Sequence, residues 1–176
     1  VLLSDYSLRV FMPTVFRLLS EQSSTIRLNL HAQTDMPYTL LERGEIDLLI
    51  SPELYLSDDH PATMLFEDEY VTVAWNKGKY GVGTLTKADY MVASHAVMVP
   101  PNAAKSLESS LLLEAGIDRH VDVQSFSFST LPHLITGTNR IATIHRRLAN
   151  QVAKQAELTI HPTPLPLPPL RQMLQS

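Results

Sequence analysis

Serine, histidine and aspartate all occur in the sequence, but their spacing matches no catalytic pattern. Ser4 and Asp5 follow the first predicted strand, yet no G-x-S-x-G nucleophile elbow is present. The seven histidines show neither H-x-x-x-H nor H-E-x-x-H spacing, and the chain has no cysteines. The sequence therefore predicts a protein that is not an enzyme and that carries neither a metal nor a cofactor.

Two acidic clusters and one glycine-containing stretch are interpreted as turns. E-D-E at 67–69 and S-D-D at 57–59 are expected to be solvated. K-G-K-Y-G-V-G at 77–83 lacks the spacing of a phosphate-binding loop, so it is expected to be a flexible turn.

Composition argues against nucleic-acid and membrane binding by this chain. Its formal net charge is -4 and its pI is about 5.9, whereas domains that grip a phosphate backbone are usually basic. Only H-R-R at 145–147 is locally basic, and no apolar run approaches the ~18 residues of a membrane span. The first residues lack the features of a secretory signal, and a cysteine-free chain suits a reducing compartment. We therefore expect a cytoplasmic location.

Short apolar runs alternate with helix-like segments, which predicts βαβ units, parallel sheets and an α/β fold. The alternating run at 25–31 is expected to be a strand, and Asp35 is expected to cap the helix that Gly44 ends. Two such sets, joined by extended stretches near 68–75 and 158–168, predict two lobes with a double crossover. Lobe I is expected to span 1–71 plus 162–176, and lobe II 72–161. The proline-rich residues after 158 are expected to form a crossover or a sheet edge.

Polar and aromatic side chains close the predicted strands. These strand ends are S-D-Y-S (4–7), S-P-E (51–53), P-P-N-A (100–103), S-F-S-F-S-T (125–130) and I-H-R-R (144–147). In open α/β sheets, ligands bind outside the carboxyl ends of the strands. For any single hydroxyl, helix capping is the better explanation, but five polar ends on one edge together favour a site for a small polar or aromatic molecule.

Several stretches resemble one protein family. They are LLSDYSLRVFMPTVFRLLSEQSSTIRLNL (2–30), LLERGEIDLLIS (40–51), LFEDEYVTVAW (65–75) and STLPHLITGTNRIATIHRRLA (129–149). Together they resemble the inducer-binding (effector-binding) domain of LysR-type transcriptional regulators. The resemblance covers essentially the whole chain and is greatest to the flavonoid-responsive nodulation regulators and the salicylate-responsive degradation regulators.

The resemblance implies two Rossmann-like lobes of the periplasmic-binding-protein type II kind. It further implies a small aromatic inducer, phenolic or carboxylate, bound between the lobes, and a homodimer or homotetramer in a bacterial cytoplasm. The family's N-terminal winged helix-turn-helix is absent from this sequence, so DNA contact is expected only through that missing domain. The helix that usually follows the strand matching L-R-Q-M-L-Q is absent too.

Strand ends and resemblance together predict a set of ligand contacts. These residues are Ser4, Tyr6, Asn102, Phe126, Phe128, Thr130 and His133. The alternative hypothesis is a solute-binding protein of a transporter, which shares the two-lobed architecture. A helix-turn-helix or a signal peptide upstream in the full-length gene would distinguish the two, and an enzyme on this scaffold ranks third.

Overall fold

The structure, a computed structural model, describes residues 1–22, 25–100 and 105–176. The chain divides into two compact units, the first comprising 1–68 with 170–176 and the second 69–169. The lobe limits expected from the sequence, at 71/72 and 161/162, differ from this division. The difference arises because residues 70–75 pair with residues 158–162 and both stretches therefore belong to the second unit.

The first unit is built on a sheet of mixed direction. Its elements are β1 (Leu2–Leu3), α1 (Asp5–Val10), α2 (Met12–Gln22), β2 (His31–Ala32), α3 (Tyr38–Glu42), β3 (Leu49–Pro52), a 3-10 turn (Glu53–Tyr55), β4 (Ala62–Asp68) and, from the end of the chain, β10 (Leu170–Gln175). The strand order is β2-β1-β3-β10-β4. β1 is parallel to β2 and β3, whereas β10 is antiparallel to both of its neighbours.

The second unit repeats this plan with a second sheet. Its elements are β5 (Tyr70–Trp75), α4 (Lys87–Val92), β6 (Ser94–Met98), α5 (Leu107–Glu114), β7 (His120–Ser125), α6 (Leu131–Ile135), β8 (Ile141–His145), α7 (Arg146–Val152) and β9 (Leu158–Pro162). The strand order is β7-β6-β8-β5-β9. β6 runs parallel to β7 and β8, and β5 is antiparallel to β8 and β9. β9 lies at the edge, as its prolines predict.

Two elements depart from the sequence-based expectations. Residues 25–30 are not a strand, and only His31–Ala32 joins the sheet. Their apolar alternation instead places Leu28 and Leu30 against the buried cluster around Met12, without a hydrogen-bonded ladder. The helix α3 has Pro37 rather than Asp35 at its N-cap, and that cap makes no side-chain hydrogen bond.

The first sheet is covered by apolar side chains on both faces. Leu2 and Leu49 are partners in adjacent strands and pack with Leu41, whereas the next pair along, Leu3 and Ile50, belongs to a separate buried cluster. Successive strand residues point to opposite faces, so the two clusters lie on the two sides of the sheet. This double burial explains why the segment I-D-L-L-I-S reads as a continuous apolar run.

An ion pair is buried inside the second unit. Arg119 donates to both carboxylate oxygens of Glu108, and both side chains are only 5% exposed. Ser109 accepts a further hydrogen bond from the same guanidinium at 3.0 Å. Burial raises the pKa of the Glu108 carboxyl, although the charge of Arg119 acts in the opposite direction.

Glu108→Gln is expected to destabilise the second unit by about 3–5 kcal/mol, because it leaves the Arg119 charge buried without a counter-ion. The matched control is Glu157→Gln, which breaks the exposed pair with Lys77 and should cost less than about 1 kcal/mol. Urea unfolding followed by the fluorescence of Trp75, the chain's single tryptophan, measures both values within this unit. Equal effects of the two substitutions would contradict the expectation.

Candidate functional site

Neutral hydroxyl and amide groups collect at one end of the first sheet. Gln33, just beyond β2, donates from Nε2 to Oγ of Ser51 at 2.8 Å. Ser4 follows β1 and caps α1, its Oγ accepting from the backbone N–H of Ser7 at 3.2 Å. Gln172 enters from β10 and donates from Nε2 to Oγ of Ser7 at 3.0 Å. Ser7, Ser51 and Gln172 are buried, so two hydrogen-bonded polar sets, Gln33–Ser51 and Ser4–Ser7–Gln172, lie at the ends of strands β1, β2 and β3.

Tyr6, which lies between Ser4 and Ser7 in the chain, contacts the last residue of β4. Its hydroxyl donates to Oδ2 of Asp68 at 2.5 Å, and both side chains are buried. The Tyr6 ring lies 6.5 Å from that of Phe66, which in turn lies 5.8 Å from Phe11. An aromatic cluster therefore adjoins the Ser4–Ser7–Gln172 set within the same unit.

Three rings are packed together at the carboxyl end of β8 in the second unit. The ring of Phe128 is stacked on that of His145, with 5.0 Å between centroids and an interplanar angle of 26°. The His145 ring also lies 4.5 Å from that of Tyr70, its partner in β5. Burial lowers the pKa of His145 to about 3, so its imidazole is neutral at physiological pH. A neutral imidazole has one donor and one acceptor nitrogen.

The loop between β7 and α6 presents hydroxyls and one exposed aromatic ring. The backbone N–H of Ser127 donates to Oγ of Ser125 at 3.1 Å, and the hydroxyls of Ser127 and Thr130 are hydrogen-bonded to each other. Phe126 is 83% exposed, and His133 in α6 is exposed as well. Phe128, two residues from Phe126, is instead 6% exposed.

The residues predicted from the sequence are divided between the units. Ser4 and Tyr6 belong to the first unit, and Phe126, Phe128, Thr130 and His133 belong to the second. Asn102 lies outside the described residues. The sequence suggested that the polar strand ends share one sheet edge. They do not, because β1 and β3 belong to one sheet and β6, β7 and β8 to another.

Several polar residues of these strand ends were not among the predicted contacts. Ser51 and His145 lie in strand ends that the sequence had singled out, so the same signal could have included them. Gln33 follows a strand of only two residues, and Gln172 lies on an antiparallel strand from the far end of the chain. No local sequence pattern indicates either glutamine, because only the strand order of the first sheet brings Gln33 and Gln172 to these strand ends.

The acidic cluster at 67–69 is not simply a solvated turn. Asp68 is 7% exposed and accepts the hydrogen bond of Tyr6. Glu67 and Glu69 are exposed but paired with Arg171 and Arg146, respectively. The cluster is therefore a structural part of the chain's passage from one unit to the other.

Within the described ranges, no three acidic or histidine side chains are grouped so that they could hold a metal ion. The described helices also include none with the length and hydropathy of a membrane span.

No family model matches the sequence. Two curated relatives are called Nodulation protein D 1. That of Rhizobium leguminosarum bv. phaseoli is 39% identical over 176 residues, and that of Bradyrhizobium diazoefficiens is 36% identical over the same length. Each alignment covers 99% of this chain and 56% of the relative. The chain thus spans little more than half the length of the curated relatives it matches.

Solved structures match the whole chain as well. A probable transcriptional regulator from Pseudomonas aeruginosa has a TM-score of 0.91 at 27% identity, covering 99% of this chain and 60% of the other. The regulatory domain of MetR, a LysR family regulator from N. meningitidis, has a TM-score of 0.73 at 16% identity, covering 99% and 81%. The predicted resemblance to the LysR-type regulatory domain is confirmed. The α/β fold with two sheets, as predicted, is that of LysR-type regulatory domains.

A third solved structure of the same fold carries a ligand. The effector binding domain of QuiR was solved in complex with shikimate, and it has a TM-score of 0.74 at 14% identity, covering 97% of this chain and 82% of that domain. At this level of identity the match supports the fold alone.

The stability of the second unit is expected to fall as the pH drops below 6.5. The pKa of His145 is about 3 in the folded chain and about 6.5 when unfolded, so the unfolded chain takes up the proton first. The stability is present above pH 6.5 and is lost towards pH 3, at about 1.4 kcal/mol per pH unit for this residue. Urea unfolding at pH 7.5 and 5.0, followed by Trp75 fluorescence, measures this slope.

His145→Phe should make this pH dependence shallower by that amount, whereas Leu112→Ala, which removes no titratable group, should leave the slope unchanged. An identical slope in wild type and His145→Phe would show that His145 is not held neutral by burial.

Proposed function

We propose that the chain is the effector-sensing regulatory domain of a LysR-type transcriptional regulator and that it binds a small aromatic inducer, phenolic or carboxylate. The observation that carries the proposal is the stack of Phe128 on His145 beside Tyr70, at the carboxyl end of β8. The relation to Nodulation protein D over 99% of the chain supports the regulatory role. The shikimate complex of QuiR supports a small-molecule site in this fold.

The chemistry of the strand ends suits a ring that carries oxygen substituents. Aromatic side chains bind another ring by offset stacking and edge contacts worth about 0.5–1.5 kcal/mol per pair beyond the area they bury. The neutral imidazole of His145 and the hydroxyls of Ser127 and Thr130 can donate to or accept from a phenol or a carboxylate. The hydroxyl and amide network around Ser7 is a second candidate contact surface, in the first unit.

An effector can change the activity of such a regulator only if it binds one conformation more tightly than another. We propose that inducer binding shifts the geometry of a homodimer or homotetramer in the cytoplasm. Contact with DNA would be made by an N-terminal winged helix-turn-helix outside this sequence. The alternative of a transporter's solute-binding protein shares the fold, but the solved structures reported above are regulators.

Calorimetric titration of the chain with salicylate, benzoate and the flavonoid naringenin is expected to show saturable binding of at least one of them. Phe128→Ala should weaken that binding about tenfold or more, because it removes one face of the ring stack. This substitution also creates a cavity costing about 3–5 kcal/mol of stability.

The matched control is Leu112→Ala, at a buried position in another cluster of the same unit, with a similar cost of about 2–5 kcal/mol. It should keep the wild-type affinity. Saturable binding that Phe128→Ala leaves unchanged would contradict the assignment of the ring stack, and no saturable binding of any of the three compounds would contradict the aromatic inducer.

A further inference from the structure

Five consecutive residues, F-E-D-E-Y at 66–70, carry the chain from the first unit to the second, and we call them the crossing segment. Asp68 ends the first unit and Glu69 begins the second. Each residue of the crossing segment is held by a side chain from another part of its own unit. The pairs are Phe66 with Phe11, Glu67 with Arg171, Asp68 with Tyr6, Glu69 with Arg146 and Tyr70 with His145.

On the first-unit side, the partner of Asp68 is a predicted ligand contact. The hydroxyl of Tyr6 donates its single proton to the Asp68 carboxylate, which leaves only acceptor capacity on the phenol oxygen. Tyr6 lies in the first turn of α1, which Ser4 caps at the end of β1. The position of Asp68 thus determines both the location and the hydrogen-bonding direction of the Tyr6 hydroxyl.

On the second-unit side, Glu69 is held twice by Arg146. The Arg146 backbone N–H donates to the Glu69 carbonyl at 2.9 Å, and its Nε donates to the Glu69 carboxylate. Arg146 is the first residue of α7 and directly follows His145, which carries the stack with Phe128. Glu69 thus fixes the end of β8 to which the proposed aromatic contact belongs.

We propose that Asp68 and Glu69 are positioning residues for effector contacts in their own units, Asp68 acting through Tyr6 in the first and Glu69 acting through Arg146 and the adjoining His145 in the second. This inference rests on the proposed function. An effector that contacts Tyr6 acts on the partner of Asp68. An effector that contacts the Phe128–His145 stack acts on the residue next to Arg146, the partner of Glu69. Its binding and the conformation of the crossing segment are therefore linked, and each changes the other by the same free energy.

The crossing segment also contains its own control. Glu67 forms an ion pair with Arg171 of β10, with 3.0 Å between Nε and Oε2, and both side chains are about half exposed. Neither residue adjoins a predicted ligand contact in the chain. A purely structural role of the crossing segment would make Glu67 as important for effector binding as Asp68 and Glu69.

The experiment is a double-mutant cycle on the affinity of the full 176-residue chain for whichever of salicylate, benzoate and naringenin the wild type binds. Tyr6→Phe and Asp68→Asn should each weaken binding about three- to tenfold, which corresponds to one hydrogen bond. The double variant should be no weaker than the weaker single variant, because both substitutions remove the same interaction. Glu67→Gln should change the affinity by less than about twofold, since exposed pairs contribute little.

Glu69→Gln tests the positioning role on the second-unit side without changing a buried residue, because the side chain of Glu69 is 61% exposed. It should weaken binding about three- to tenfold, as expected for a charge-assisted contact, while the midpoint of thermal unfolding changes no more than in Glu67→Gln. Arg146→Lys, which keeps the charge, should recover part of the affinity lost in Arg146→Gln.

The outcomes separate this inference from the proposed function. Unchanged affinity in Asp68→Asn and Glu69→Gln, or losses that add up in the double variant, would overturn the positioning role while leaving the effector site intact. An equal loss in Glu67→Gln would assign the effect to general stability of the segment and would overturn it too. If the wild type binds none of the three compounds, it is the proposed function that fails.

Discussion

The insertion of β10 between β3 and β4 is the constraint on which the first unit depends. β10 pairs with β4 along its full length and with β3 over four residues, so it joins the two halves of that sheet. Its buried Gln172 reaches Ser7, and its buried Gln175 exchanges hydrogen bonds of 2.9 and 2.7 Å with the backbone of Ser57. Residues 170–175 follow the entire second unit in the chain, so the first sheet is completed only by a long-range pairing.

Local signals in the sequence predicted most of the secondary structure because each signal acts within one turn. Gly44 follows the end of α3 with a positive φ of 68°, as the sequence predicted. The alternating run at 25–30 led to a wrong prediction of a strand. Alternation indicates which side chains are buried, but it does not show whether the backbone pairs with a neighbouring strand. Leu28 and Leu30 are packed against the core of the first unit without a ladder.

The candidate site was predictable in its chemistry and not in its arrangement. The sequence pointed to hydroxyls and aromatic rings after strands, and Ser4, Tyr6 and Phe128 occupy such positions. It could not show that these residues belong to two sheets, because sheet membership follows from strand order rather than from spacing. The burial of Asp68 was equally out of reach, since its partner Tyr6 lies 62 residues away and an acidic triplet by itself predicts a solvated turn.

The aromatic groups of the two units differ in their hydrogen-bonding chemistry. In the first unit, the proton of Tyr6 is committed to Asp68, so the phenol oxygen can only accept from a ligand. In the second unit, His145 is neutral and lies between Phe128 and Tyr70. Its imidazole therefore has one donor nitrogen and one acceptor nitrogen beside two other rings. Under the proposed function, a ligand hydroxyl is favoured at Tyr6 because a ligand carboxylate there would oppose its charge to that of Asp68. An aromatic ligand is, under the same proposal, better matched by the second unit, where three rings are packed together.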